Sequence, residues 1–388
     1  MTSLYIHIPF CKKKCNYCDF VSYAGKEELI DDYVDALVRE INNSPHFNVG
    51  CQAQNNAGKP HNELWGIETI YFGGGTPTLL EPKHFDKIIN NINSSFVIRN
   101  SAFEFSIEAN PGTADKTKLK ALRELGINRL SIGAQSFNDR HLKTLGRIHN
   151  SKAVHRFYGD ARSAGFDNIN LDLIFALPGQ TLDEWKHDLD IALNLTTYPP
   201  NHLSIYNLQL EEGTPLWEMK KSETRNPKQI RNPKFQIPNE EEELKMYEYT
   251  IETLSDAGYK HYEISNFAKP GFECKHNINY WKNGNYIGIG AGAHSHVNGK
   301  RWANPNCIET YIKESRRFPD VTDTETDKRE TVFLGLRLLE GLPVEKFSGF
   351  EKEVAELVKD GLLMKDNSHY KLSRQGLFLG NLVFEKFV

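Results

Sequence analysis

Six short runs rich in β-branched and aromatic residues recur along the first two-thirds of the chain, each separated from the next by a helical pattern. The runs are LYIHI, ETIYF, FEFSIEA, RLSIGA, NINLDLIFAL and HLSIYNL. Between them stand EELIDDYVDALVREI, PKHFDKIINNI, KTKLKALRELG, SKAVHRFYGDARSAG and TLDEWKHDLDIALNL. In the first of these, Leu29, Ile30, Tyr33, Val34, Leu37, Val38 and Ile41 recur at helical spacing. Strands that alternate with helices predict an α/β fold with a parallel sheet. The runs read as apolar on both faces, as barrel strands do. Turn residues cluster just after strands, in FGGGTP, EANPG, AQSFN and LPGQT. In an α/β barrel that is the face where sites are built.

Two stretches interrupt the rhythm. Residues 43–62 are polar and Asn/Gly-rich and read as a surface insertion. Residues 219–240 are basic and Pro/Asn-rich and read as a long loop. A nucleic-acid patch is the lesser reading of that loop, because stacking aromatics are not interleaved with its basic residues. The expected barrel domain spans residues 1–300. Residues 301–388 read as a small α+β, winged-helix-like domain, with helices around the hairpin LLMKDNSHYKL. Acids and bases are balanced there, which favours packing or partner contact over DNA.

A formal charge of −4 predicts no general attraction to nucleic acid or anionic lipid. No apolar run approaches the roughly 18–20 residues that cross a bilayer. MTSLYIHIPF reads as a strand and not as a leader, so a cytoplasmic location is expected. Homodimerisation and peripheral membrane contact are left open by the sequence.

Thiols in the cytoplasm stay reduced, so clustered cysteines point to metal or catalysis. Three of the six cysteines, Cys11, Cys15 and Cys18, fall in HIPFCKKKCNYCDF, directly after the first strand. Four thiolates close a zinc site or an ordinary iron–sulfur cluster; three leave one metal position open. A structural zinc with His7 as fourth ligand is the alternative. Cys51, Cys274 and Cys307 are scattered and read as plain thiols. The glycine turn YFGGGTP follows the second strand, where backbone can approach a ligand closely.

C-x₃-C-x₂-C with an aromatic before the last cysteine resembles the radical S-adenosylmethionine (SAM) superfamily. The resemblance implies a partial (β/α)₆ barrel, a [4Fe–4S] cluster on the three cysteines, and SAM on the fourth iron. The superfamily cleaves the SAM sulfonium reductively to a 5′-deoxyadenosyl radical. Within it, IHIPFCKKKCNYCDF, YFGGGTPT, IEANPG, GAQSF, GRIHN and DLIFALPGQT are similar to the branch of oxygen-independent coproporphyrinogen III oxidase, over about residues 4–300. Carried over from that branch, Tyr5, Tyr17, Gly74, Gly75, Thr76, Glu108, Gln135, Arg147 and Asp172 are the expected SAM contacts.

The oxidase continues its triad with a fourth cysteine, C-x₃-C-x₂-C-x-C. Here that position is Phe20. This departure, with the HNxxYW pattern in CKHNINYW, resembles the HemW-type haem chaperones of the same branch. The resemblance implies haem contacts at His276, Asn277, Tyr280 and Trp281, with His294, His296 and Cys274 as alternative iron ligands. Ligation by His276 predicts binding that weakens as pH falls through the ordinary imidazole range, about 6.5. The implied function is to bind haem and pass it to an acceptor apoprotein such as a respiratory enzyme, with cluster and SAM regulating that step. Coproporphyrinogen oxidase activity is expected to be absent. Oxidative decarboxylation of coproporphyrinogen III in porphyrin biosynthesis is the enzyme alternative.

Overall fold

The structure is a computed structural model that describes residues 2–43, 66–98, 103–225, 236–314, 318–320 and 324–388. Most of the expected insertion at 43–62, residues 226–235 of the expected loop at 219–240, and Cys51 lie outside these. Residues 219–225 differ from expectation: they complete a helix, Pro215–Arg225.

All six expected strands form, as β1 (Thr2–Ile8), β2 (Thr69–Gly74), β3 (Glu104–Ala109), β4 (Arg129–Gln135), β5 (Asn168–Phe175) and β6 (His202–Asn207). They pair in parallel in the order β1–β2–β3–β4–β5–β6. A hairpin of β7 (Lys260–Glu263) and β8 (Asn266–Ala268) extends the β6 edge. At the other edge a seventh parallel strand, β9 (Asn285–Ile289), pairs with β1. From it β10 (His294–Val297), β11 (Lys300–Ala303) and β12 (Phe318–Asp320) continue antiparallel. The twelve-stranded sheet is a partial barrel, with helices as crossovers: α1 (Ile30–Asn43), α2 (Pro82–Ser95), α3 (Lys116–Glu124), α4 (Ser151–Ser163) and α5 (Leu182–Leu193).

The helices begin where local chemistry caps them. Asn150 accepts the Ala153 N–H at the start of α4, and Thr181 with Glu184 forms a capping box on α5. On α1, Tyr33, Val34, Leu37 and Ile41 are buried against the sheet.

The strands are not apolar on both faces, as the sequence reading had it. Leu130, Ile132 and Ala134 of β4 face the helices, while Arg129, Ser131 and Gln135 alternate with them. Glu104, Glu108, Asp172, His202 and Ser204 do the same on their strands. Both faces are buried, but the inner one is polar. Its groups satisfy one another: His202 bridges Asn170 (2.6 Å) and the Tyr262 hydroxyl (2.8 Å), and Asn170 donates to Ser131 and Asp172 (2.7 Å each).

The barrel core runs past residue 300, through Trp302, Ile308 and Tyr311. A separate core, from Val332 to Phe387, belongs to the C-terminal module. The division therefore falls near residue 320 and not at 300, because β12 still belongs to the main sheet. The module comprises α6 (Thr324–Gly335), β13 (Leu342–Pro343), α7 (Glu351–Lys359) and the hairpin β14 (Leu363–Asp366)–β15 (His369–Leu372), with two short helices after it. No helix among the described residues is long and apolar enough to cross a membrane.

Candidate functional site

A cavity of about 560 Å³ opens at the carboxyl ends of β2–β6, and the loop carrying Cys11, Cys15 and Cys18 forms its rim. Each thiol has a polar neighbour. Cys11 Sγ lies 3.7 Å from the Thr76 hydroxyl, Cys18 Sγ lies 4.0 Å from the Ser22 hydroxyl, and Arg147 Nη1 donates to Cys15 Sγ at 3.3 Å. Burial pushes the Cys11 and Cys18 thiols above their ordinary range, so a metal must displace their protons. No three His, Cys, Asp or Glu side chains among the described residues are arranged to hold a single metal ion. His7 is no fourth ligand: its Nδ1 bonds the Tyr5 hydroxyl (3.1 Å) and its Nε2 donates to the Val21 carbonyl (2.7 Å). A cluster, which offers a separate iron to each thiolate, fits three spaced thiols where one zinc ion does not.

Eight of the nine residues expected around SAM line this cavity: Tyr17, Gly74, Gly75, Thr76, Glu108, Gln135, Arg147 and Asp172. Tyr5 does not. It pairs with Tyr71 on one side and Gly288 on the other, and its ring borders a different cavity. Gln135 holds φ 67°, a strained conformation for a residue with a side chain and one that recurs at functional sites. Arg147 also reaches Asn110 and the Gly133 carbonyl, yet its buried Nε has no partner among the described residues. That orphaned donor beside the thiols is suited to an anionic group. Asn110, which also donates to Thr76 (2.8 Å), was not singled out from the sequence although EANPG contains it.

The glycines of FGGGTP serve different approaches. A Cβ on Gly74, whose φ is +111°, would stand 2.5 Å from the His7 ring, away from the cavity. A Cβ on Gly75 would meet the Phe10 carbonyl oxygen at 2.7 Å and Cys11 Sγ at 3.1 Å. Gly75 is therefore what lets the turn pack under the thiol loop. Gly75→Ala should displace Cys11 and lower cluster occupancy several-fold after anaerobic reconstitution, with a stability loss of about 1–3 kcal/mol from overpacking. Iron analysis alongside thermal denaturation checks both.

Two carboxyls lie at the bottom. Glu108 accepts from the Tyr71 hydroxyl (3.0 Å) and the Gly74 N–H (3.1 Å), while Asp172 accepts from Ser131 (3.1 Å) and Asn170 (2.7 Å). Burial, reinforced by the Asp172 charge, pushes Glu108 up to about 7, and burial also raises Asp172. The Arg129 charge opposes both rises, but desolvation outweighs it, and the carboxyl pair suits a cationic ligand group.

The HNxxYW segment forms a short helix, Lys275–Trp281. Its first N–H groups, those of Lys275 (2.8 Å) and His276 (3.2 Å), donate to the Glu104 carboxylate. The motif is split by this placement. Asn277 lines the thiol-rimmed cavity, while Tyr280 and Trp281 line a second one of about 570 Å³. His276 lines neither. It is 1% exposed, with Nδ1 bonded to the Thr69 hydroxyl and Nε2 to the Tyr280 hydroxyl, 2.9 Å each. Burial, aided by the Arg129 charge, pushes it down to about 3. This corrects the expectation of a ligating, pH-sensitive His276: both ring nitrogens are engaged and the imidazole stays neutral throughout the physiological range.

A family model described as the Radical SAM superfamily matches residues 5–192, and one described as the HemN C-terminal domain matches residues 323–379. The chain is 37% identical to the heme chaperone HemW of Bacillus subtilis (strain 168), covering 100% of this chain and 99% of that one. To the heme chaperone HemW of Escherichia coli (strain K12) it is 33% identical, covering 100% and 98%. Among solved structures, the coproporphyrinogen III oxidase HemN from Escherichia coli, a radical SAM enzyme, aligns with a TM-score of 0.78 over 100% of this chain and 89% of that one. At 24% identity that likeness speaks to the fold alone.

Proposed function

This chain belongs to the heme chaperone HemW family of radical SAM proteins, and on that premise we propose that it binds haem and passes it to an acceptor apoprotein. The observation that carries the proposal beyond family membership is Phe20. It stands where the oxidase branch has its fourth cysteine, it is 69% exposed, and it borders the second cavity beside Tyr280 and Trp281. A thiol has been replaced by an apolar surface facing an aromatic-walled space.

Cys11, Cys15 and Cys18 would hold a [4Fe–4S] cluster. Glu108 and Asp172 would face the positive groups of SAM, and Arg147 its negative one. When bound, the cluster supplies an electron donor beside the SAM sulfonium. The protein's own residues hold the thiols, orient the carboxyl pair through Tyr71, Ser131 and Asn170, and fix the glycine turn. Asp19 and Phe20 border both cavities, so the order of the thiol loop is felt at the second one. That shared wall supports a regulatory role for cluster and SAM in haem handling.

Ferric haem mixed with the anaerobically reconstituted protein should co-elute with it on gel filtration at about one haem per chain. Haem that elutes entirely apart from the protein would sink the proposal.

A further inference from the structure

Resting on the reading that this chain carries haem, we propose that haem is seated in the second cavity, between barrel and C-terminal module, with the imidazole of His294 as iron ligand. The cavity, about 570 Å³, falls inside the range of roughly 300–1,000 Å³ that small-molecule sites occupy. Three separate segments wall it with apolar or flat side chains: Phe20 from the thiol loop, Tyr280 and Trp281 from the HNxxYW helix, and Phe333 and Leu334 from α6. These suit the faces and edges of a porphyrin. The Trp281 indole N–H is buried without a partner among the described residues, and the Arg337 guanidinium covers its ring at 4.3 Å.

The iron ligand follows from which lone pairs are free. His276 has both ring nitrogens bonded, as described above. His296 is buried, with Nδ1 on the Gly284 carbonyl (3.2 Å) and Nε2 on Asp327 (3.1 Å). His7 borders the cavity but is likewise bonded at both nitrogens. Cys274 is fully buried beside Glu104, and burial pushes its thiol up to about 12, which denies it the thiolate that ligates iron. His294 is different. It opens β10 at the cavity wall, it is exposed, and its ring has no hydrogen-bonding partner among the described residues. A neutral imidazole is a common haem ligand.

Arg301 also borders the cavity, but Glu330 (2.6 Å), the Tyr286 hydroxyl (2.9 Å) and Asn283 (3.0 Å) occupy its guanidinium. The cavity thus selects for macrocycle and iron, and the propionates are left to water. Because α6 belongs to a unit with its own core, a change in how that unit packs on the barrel exposes the cargo, as release to an acceptor requires.

The test is ferric haem titrated into the full reconstituted chain, followed by its Soret band, for wild type and His294→Ala. His294 is exposed, so the variant should fold; circular dichroism verifies this. The expected result is a shifted Soret band and at least tenfold weaker binding in His294→Ala, with added imidazole restoring the wild-type band. Wild-type and His294→Ala proteins that bind haem with the same band and affinity would overturn His294 as ligand while leaving the haem-carrier reading intact. A wild type that binds no haem would overturn both.

Discussion

Replacing Cys11, Cys15 and Cys18 together with alanine should abolish the iron–sulfur cluster and leave haem binding in place. Iron and acid-labile sulfide should fall from about four each per chain to near none. No other described thiol is ready to substitute. Cys274 is buried beside Glu104 away from the thiol-rimmed cavity, and Cys307 is exposed at the start of another helix, donating to Glu309. The second cavity takes only Asp19, Phe20 and Val21 from the cysteine-bearing segment; Tyr280, Trp281, His294 and α6 come from elsewhere. The triple variant should therefore still take up haem, with an affinity within a few-fold of wild type. A variant that keeps its cluster would refute the assignment of the triad, and so would stoichiometric zinc in the wild-type protein.

Glu108→Gln should weaken SAM binding about 10- to 100-fold, the loss expected when a buried charge-assisted contact of roughly 1.5–3 kcal/mol is removed. Wild-type affinity should also depend on pH. The carboxyl is pushed up to about 7 by burial, with Asp172 adding to the effect and the Tyr71 hydroxyl, the Gly74 N–H and Arg129 opposing it. Only its ionised form attracts a cation, so a protonated Glu108 must lose its proton before SAM is gripped. Affinity should fall as pH drops below about 7 in wild type and depend less on pH in Glu108→Gln, where Asp172 is the remaining carboxyl. Stability of the SAM-free protein should move in the opposite sense. A raised folded pKa means the folded state holds this proton from its ordinary value of 4.5 up to about 7, so stability falls as pH rises across that window. Glutamine removes that penalty and should stabilise the SAM-free protein at pH 8, by roughly 3 kcal/mol at most. Calorimetric titration with SAM from pH 6 to 8, with thermal melts of both proteins, checks both signs. An unchanged affinity and pH profile in the variant would remove Glu108 from the cation-binding role.

The sequence made the barrel legible because each of its six strands is a compact β-branched run bounded by turn residues. The seventh parallel strand, Asn285–Ile289, was hidden by glycines that tertiary contacts require. A Cβ on Gly288 would stand 2.0 Å from the His294 carbonyl oxygen, and one on Gly290 would stand 2.6 Å from that of His7. Tyr5 entered the SAM set through the resemblance to the oxidase branch alone. Spacing along β1 sets Tyr5 and His7 on one face but is silent on the neighbour that walls them off, and β9 supplies it. The polar lumen was missed for a related reason. Arg129, Asp172 and His202 sit in otherwise apolar runs, and only the parallel register of neighbouring strands turns them to one face.

The HNxxYW motif was visible as a string but not as a geometry. Asn277 and Trp281 lie four residues apart, about 6 Å along a helix, and that distance sends them to different cavities. Burial of His276 between Thr69 and Tyr280 depends on where the helix docks, which Glu104 decides from 171 residues away. The candidate cluster thiols, in contrast, were legible because all three share one loop.

The most direct test of a haem carrier without oxidase activity is an anaerobic assay of the reconstituted protein with coproporphyrinogen III, SAM and reductant, its porphyrins separated and quantified. The expected result is no protoporphyrinogen IX above the level given by the Cys11, Cys15 and Cys18 triple variant, because Phe20 replaces the oxidase's fourth cysteine. Product that accumulates with time above that control would contradict the chaperone account and make the chain an oxidative decarboxylase.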